Sequence, residues 1–193
     1  MKVACAAVIV LLAACSASSK SRNGPTPTRG SHKVTWQSFA PRGFGFSISM
    51  PVKPQRIRDW IGDQDPNGYK SVDAFGSEFR RPLSAFVVVA LLPSDAMLKE
   101  DGGHNNLKGL EMLIGGDDAE PASRLPIKVH GLSGTEFIYH SREEHRHVRG
   151  RVIDGGRRIF VLIYAADEAT SLNSVAARRF FSSFKVVRAF RVR

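Results

Sequence analysis

Residues 140–165 read HSREEHRHVRGRVIDGGRRIFVLIYA, and their interpretation decides the fold. Three histidines and six arginines crowd into the first nineteen positions, to Arg158. Asp154-Gly155 stands between two strand-like runs, which is a strong short-range hairpin signal. Side chains alternate faces along a strand, so Val148, Gly150 and Val152 point one way. His145, His147, Arg149 and Arg151 point the other way, toward water. Glu143 and Glu144 sit at the far end of this strand and offset part of the charge. The cluster is therefore read as the solvated face of an antiparallel pair. His145 and His147 also lie close enough to share a metal, with His140 as a third ligand folded back across the connection. Neither a carboxylate nor a cysteine completes a zinc set there. Arg149 and Arg151 offer a grip for an anionic partner.

Working outward, Phe44, Phe46, Ile48 and Met50 alternate with Gly43, Gly45, Ser47 and Ser49, a period of two with one small, polar face. Pro51 and Pro54 end that strand. Further strands are predicted over Gln55–Trp60 and Tyr69–Phe79, with turn chemistry at Asp65-Pro66-Asn67-Gly68 between them. Ala85–Leu92 (AFVVVALL) is continuously apolar, as in a central strand covered on both faces. A first helix is predicted to include Asn106–Ile114, stopped by Gly115-Gly116. Strands follow near Ile127–His130, Thr135–His140, His145–Ile153 and Arg157–Ala165. A last helix spans Leu172–Phe184, with Ala176, Phe180 and Phe184 on one face and Ala177 and Phe181 beside them. Val186-Val187 adds a short final strand. No internal repeat is found. The expected fold class is α+β, an antiparallel sheet packed between helices as an α/β/α sandwich.

The chain opens MKVACAAVIVLLAACSASSK. One positive charge, Lys2, precedes an apolar run from Val3 to Ala14. This is the grammar of a secretory signal peptide; a membrane-spanning helix needs roughly 20 apolar residues. Leu12-Ala13-Ala14-Cys15 closely resembles the lipobox of bacterial lipoproteins. That resemblance implies cleavage before Cys15 and acylation of its thiol, and usually of the new amine as well. Residues 1–14 are then the signal peptide. Two or more acyl chains anchor a protein stably, at about 0.8 kcal/mol per buried methylene. Of the two cysteines, Cys5 leaves with the signal and Cys15 carries lipid, so the mature domain has no thiol for a disulfide or a nucleophile.

Formal net charge is +10. Its placement argues against nucleic acid. Lys2, Lys20, Arg22, Arg29, Lys33, Lys185, Arg188, Arg191 and Arg193 lie at the two ends, away from any acid. Without these nine, 19 of the 28 basic residues remain against all 18 acids, so the domain between is nearly neutral. Residues 15–33 hold the lipid site and a Ser/Thr/Gly/Pro-rich basic linker. It has a reach on the order of 25 Å. Its charges suit either an anionic membrane surface or the solubility of a tether. Residues 34–188 form a single domain, and 189–193 a basic tail.

Catalytic signatures are missing from the sequence. Gly131-Leu132-Ser133-Gly134 falls one residue short of a nucleophile elbow, and its glycines are read as turn residues. Gly43 and Gly45 belong to the small face of a strand rather than a phosphate cradle. Asp117-Asp118, Glu143-Glu144 and Asp167-Glu168 are adjacent pairs, poorly placed to work on one bond.

The order GFSISMPVKP, AFVVVALL, a helix, HGLSGTEF, RVIDGGRRIFVLIYAA and ARRFFSSFKV resembles bacterial exported domains with a PsbP-like fold, over about residues 36–188. The resemblance implies an accessory or binding subunit and carries over no functional residue, because the matching positions are core and turn positions. The expected function is that of a lipid-anchored, exported cell-envelope protein with a non-catalytic binding or assembly-accessory domain. No cofactor and no metal are expected. Its partners would be the membrane, through lipid on Cys15, and an envelope protein; the protein itself is expected to be monomeric. The alternative is a small metal-dependent or His/carboxylate hydrolase of the envelope.

Overall fold

The computed structural model describes residues 35–57, 69–80, 83–97, 110, 121–141 and 146–187. Cys15 and the linker lie outside them, as do the turn at 65–68, the acidic pairs at 117–118 and 143–144, and His145.

Phe46–Met50 forms strand β2, and its alternation is the predicted one: Phe46, Ile48 and Met50 are buried, with Ser47 and Ser49 between them half-buried. Strand β1, Gln37–Phe39, lies antiparallel on one side of β2, with Phe39 opposite Ile48. The last strand of the chain, β10, Lys185–Val186, lies on the other side, with Lys185 opposite Ser47. Gly43 and Gly45 precede this strand instead of lining it. Both have positive φ, +90° and +74°, and form the turn that leads in.

The main sheet holds seven strands: β3 (Gln55–Ile57), β4 (Tyr69–Arg80), β5 (Leu83–Pro93), β6 (Pro121–Val129), β7 (Leu132–Ser141), β8 (Arg146–Asp154) and β9 (Ile159–Ala166). All pairings are antiparallel, in the order β3-β4-β5-β9-β8-β7-β6. The chain crosses from β5 to the far edge at β6, then returns strand by strand until β9 pairs with β5 at the centre. The runs Ala85–Leu92 and Ile159–Ala166 of these two strands are apolar without a break, and both of their faces are covered. Phe86, Val88, Ala90, Phe160, Leu162, Tyr164 and Ala166 enter one core. Ala85, Val87, Val89, Leu91, Ile159, Val161, Ile163 and Ala165 enter the other.

The sandwich of a sheet between helices is not what forms. Among the described residues, ten strands accompany one 3-10 turn, Ala169–Asn173, and, besides helical residues at 95–97 and 110, one α-helix, α1, Val175–Ser183. The physical reason lies in β2. Its apolar face requires cover, and it pairs with β1 and β10 rather than with the main sheet. The resulting three-stranded sheet and α1 together fill one layer. Phe46 is the hub there, with ring centroids 6.2 Å from Phe39, 5.9 Å from Phe160 and 6.1 Å from Phe184. On the opposite layer, Leu110 is helical and buried in the second core; the rest of the predicted helix 106–114 lies outside the described residues.

The predicted helix 172–184 is divided at Ser174. Its backbone is extended (ψ 162°) and its hydroxyl accepts a hydrogen bond from the Ala177 amide at 3.1 Å. This is an N-cap, and it starts α1 afresh after the 3-10 turn. Ser174→Ala is expected to cost about 1 kcal/mol, read as a lower denaturant midpoint with an unchanged slope. Ser174→Asp should retain most of the stability.

Two hairpins frame the site. His130 (φ 51°) and Gly131 (φ 85°) join β6 to β7 with both central residues left-handed, the two-residue turn whose twist matches a hairpin. Gly134, in contrast, is a strand residue. A Cβ there would come within 2.5 Å of the Val152 carbonyl oxygen, so it marks close backbone approach rather than a turn. The hairpin at Asp154-Gly155 forms as predicted, with four connecting residues. The Gly155 amide donates to the Arg158 carbonyl (2.8 Å), and the Gly156 amide to the Asp154 carboxylate (2.7 Å).

Candidate functional site

The β8 alternation places Val148, Gly150 and Val152 in the second core, as the sequence predicts. The opposite face differs from its prediction. Arg149 and Arg151 do not face open water. Their side chains are only 15% and 19% exposed, beneath α1. The physical reason is Phe181. Its ring leaves the helix toward β8, with the guanidinium carbons 5.2 Å (Arg149) and 4.8 Å (Arg151) from its centroid. Flat guanidinium groups stack well on an aromatic face and tolerate this partial desolvation.

Part of this charge is offset from the neighbouring strand. In the β7–β8 register, Glu136 stands opposite Arg151 and Ile138 opposite Arg149. Arg149 Nη2 donates to both oxygens of Glu136, at 2.9 and 3.0 Å, and Arg151 Nε donates to Oε2 at 2.7 Å. Arg149 Nη1 also donates to the Asn173 side chain (2.9 Å) and the Leu172 carbonyl (3.3 Å), tying the strand to the 3-10 turn. Arg149 Nε is buried without a hydrogen-bond partner. For Glu136, burial is the largest single influence and pushes its pKa up. The hydrogen bonds and charges of Arg149 and Arg151 together outweigh it and hold the carboxyl below 4.5. This trio is an ionised clamp that fastens helix to sheet. The two guanidinium groups expected to await an anion already hold one.

The histidines divide. His140 and His147 face each other across β7 and β8 in direct register. Their Nδ1 atoms are 2.5 Å apart, and their rings, 4.5 Å between centroids, are inclined at 79°. His130 is elsewhere, its Nε2 3.0 Å from the Phe184 carbonyl oxygen. Among the described residues no three His, Cys, Asp or Glu gather as a metal site. Asp167 and Glu168 are exposed just after β9.

Glu136, Phe181 and Asn173 were not singled out in the sequence. Glu136 was within reach of it: pairing Ser141 with Arg146 across the connection sets Glu136 opposite Arg151. Phe181 was not, because its arrival over β8 depends on where the helix docks.

A scan against family models and a search of curated proteins give no match. Solved structures do. The solution structure of cyanobacterial PsbP (CyanoP) from Synechocystis sp. PCC 6803 superposes with a TM-score of 0.51 at 18% identity, covering 84% of this chain and 99% of that one. The domain has a PsbP-like fold. At such identity the likeness speaks for fold alone. Two weaker neighbours of this PsbP-like domain are the Ran-binding protein Mog1p of Saccharomyces cerevisiae (TM-score 0.42, 11% identity, 80% of this chain and 97% of that one) and the Pseudomonas aeruginosa protein PA94, described as of unknown function (0.39, 13%, 70% and 85%). Among the described residues, no helix is long and apolar enough to cross a membrane.

Proposed function

We propose that the chain is a lipid-anchored, exported protein of the cell envelope whose PsbP-like domain is a non-catalytic binding or assembly-accessory module. The anchor rests on Leu12-Ala13-Ala14-Cys15 and the signal-like segment before it. The non-catalytic part rests on the wiring of Glu136. A general base needs a carboxylate free to take a proton near working pH. Glu136, on the same sheet face as His140 and His147, is instead held ionised by two guanidinium groups. This disfavours the hydrolase reading built on His140, His145, His147 and a carboxylate. The partners under this reading are the membrane and an envelope protein, and the domain is otherwise monomeric and binds no nucleic acid.

Cell fractionation and mass spectrometry test the anchor. The wild-type protein is expected in the membrane fraction with an acylated cysteine at its mature N-terminus. Cys15→Ala should remain unacylated and uncut at that position, because one thiol carries the thioether-linked lipid. A mature N-terminus other than acylated Cys15 overturns the address. For the accessory role, crosslinking in intact membranes should recover a defined envelope partner. Recovery as a free monomer only, under several growth conditions, counts against it.

A further inference from the structure

We propose that His140 and His147 form a two-histidine site for a divalent first-row transition-metal ion at the end of the β7–β8 hairpin where the chain connects the two strands. The site is independent of the lipid anchor and of the accessory role.

The two residues are direct cross-strand partners, so the backbone sets their spacing. Both side chains point to the same face and reach the surface, His140 exposed and His147 half-buried. Their Nδ1 atoms approach each other at 2.5 Å. Neutral imidazole carries one N–H and one lone pair, so the contact fits an Nδ1–H of one ring donating to Nδ1 of the other. A metal ion replaces such a proton naturally. At metal–nitrogen distances of 2.0–2.1 Å, two imidazole nitrogens on one ion stand about 3 Å apart. Opening the pair by about half an ångström lies within the rotamer freedom of two surface side chains. Water fills the remaining positions, with access from the exposed side.

Glu136 offsets part of the positive charge of Arg149, the next residue of β8 on this face, at 2.9 Å. The ligand class follows from the donors. Two imidazoles with water suit Cu2+, Ni2+ and Zn2+, and affinity for a given nitrogen site peaks at Cu2+. Ca2+ and Mg2+, which take oxygen ligands, are excluded from it.

The test is a Cu2+ titration of the untagged full chain in detergent, followed by calorimetry and by electron paramagnetic resonance. One equivalent should bind with two nitrogen donors visible in the spectrum. His140→Ala and His147→Ala should each weaken binding about tenfold or more, since even loss of a ligand's hydrogen-bond partner costs 10–100-fold. His145→Ala should leave affinity and spectrum unchanged. Thermal melting of each variant without metal checks folding, and His140→Asn and His147→Asn repeat the test with a polar side chain in place. Unchanged affinity in both the His140 and His147 variants overturns the site. Loss on His145→Ala with retention in the other two overturns it equally.

Discussion

Gly150→Val lowers the stability of the domain by about 3 kcal/mol, the upper end of the cost of overfilling a packed core, or roughly 6–12 °C in Tm for a domain of this size. The register sets Gly150 opposite Phe137, and one side of the Phe137 ring occupies the space beside the glycine. A Cβ at position 150 would stand 2.1 Å from Cε2 and Cζ of that ring. Phe137 is fully buried and packs edge-on against Tyr139, 5.1 Å between centroids, so its ring has little room to yield. Valine favours extended backbone, but that preference spans only about 1 kcal/mol, too little to offset the clash. Gly150→Ala should fall between wild type and valine. The decisive measurement is a double-mutant cycle. Phe137→Ala alone should cost about 3–5 kcal/mol. Combined with Gly150→Val, the new side chain occupies part of the vacated space, and the total should fall short of the sum by about 1–2 kcal/mol. Additive costs would mean that the ring and the glycine are not packed as a unit.

The same strand shows what a sequence discloses and what it withholds. Val148, Gly150 and Val152 were assignable to the core because period-two alternation is local. The double-faced burial of β5 and β9 was legible in their unbroken apolar runs, and the burial of Phe46, Ile48 and Met50 in their alternation. Which sheet β2 would join was not legible, since its partner β10 lies near the opposite end of the chain. From that one pairing followed the wrong layer order, helices on both sides of a sheet instead of a small sheet beside a large one. The division of the last helix was local, however, and Ser174 carried its signal. Arg149 and Arg151 present the mixed case. Their shared face followed from alternation, whereas their cover depends on Phe181 and their counter-charge on Glu136, both brought in by tertiary and cross-strand contacts.

That clamp carries the second large effect. Glu136→Ala should destabilise the domain by about 3 kcal/mol, the cost of removing one member of a largely buried ion pair. The loss exceeds that of a surface salt bridge, usually below about 1 kcal/mol, because Glu136, Arg149 and Arg151 are only 13%, 15% and 19% exposed. Without the carboxylate, two guanidinium groups under one aromatic ring repel each other and lack their acceptor. Glu136→Gln, which keeps the shape and one acceptor, should cost less. The pH dependence has a definite sign. The folded-state pKa of Glu136 is depressed below 4.5, so its contribution is fully present above that value and is lost as pH falls through the lower, folded-state pKa. The gap between wild type and Glu136→Ala in chemical denaturation should therefore be constant from pH 7 to about 5 and narrow steadily below the ordinary carboxylate range. A triple replacement, Glu136→Leu with Arg149→Met and Arg151→Met, should recover much of the stability, since apolar residues of similar volume often substitute for a buried ionic cluster without loss. If it does, the trio's role is to fix how α1 seats on β8 rather than to supply net stability. If instead Glu136→Ala proves neutral at pH 7, the arginines reach solvent more freely than their burial implies, and the clamp does not fasten the helix.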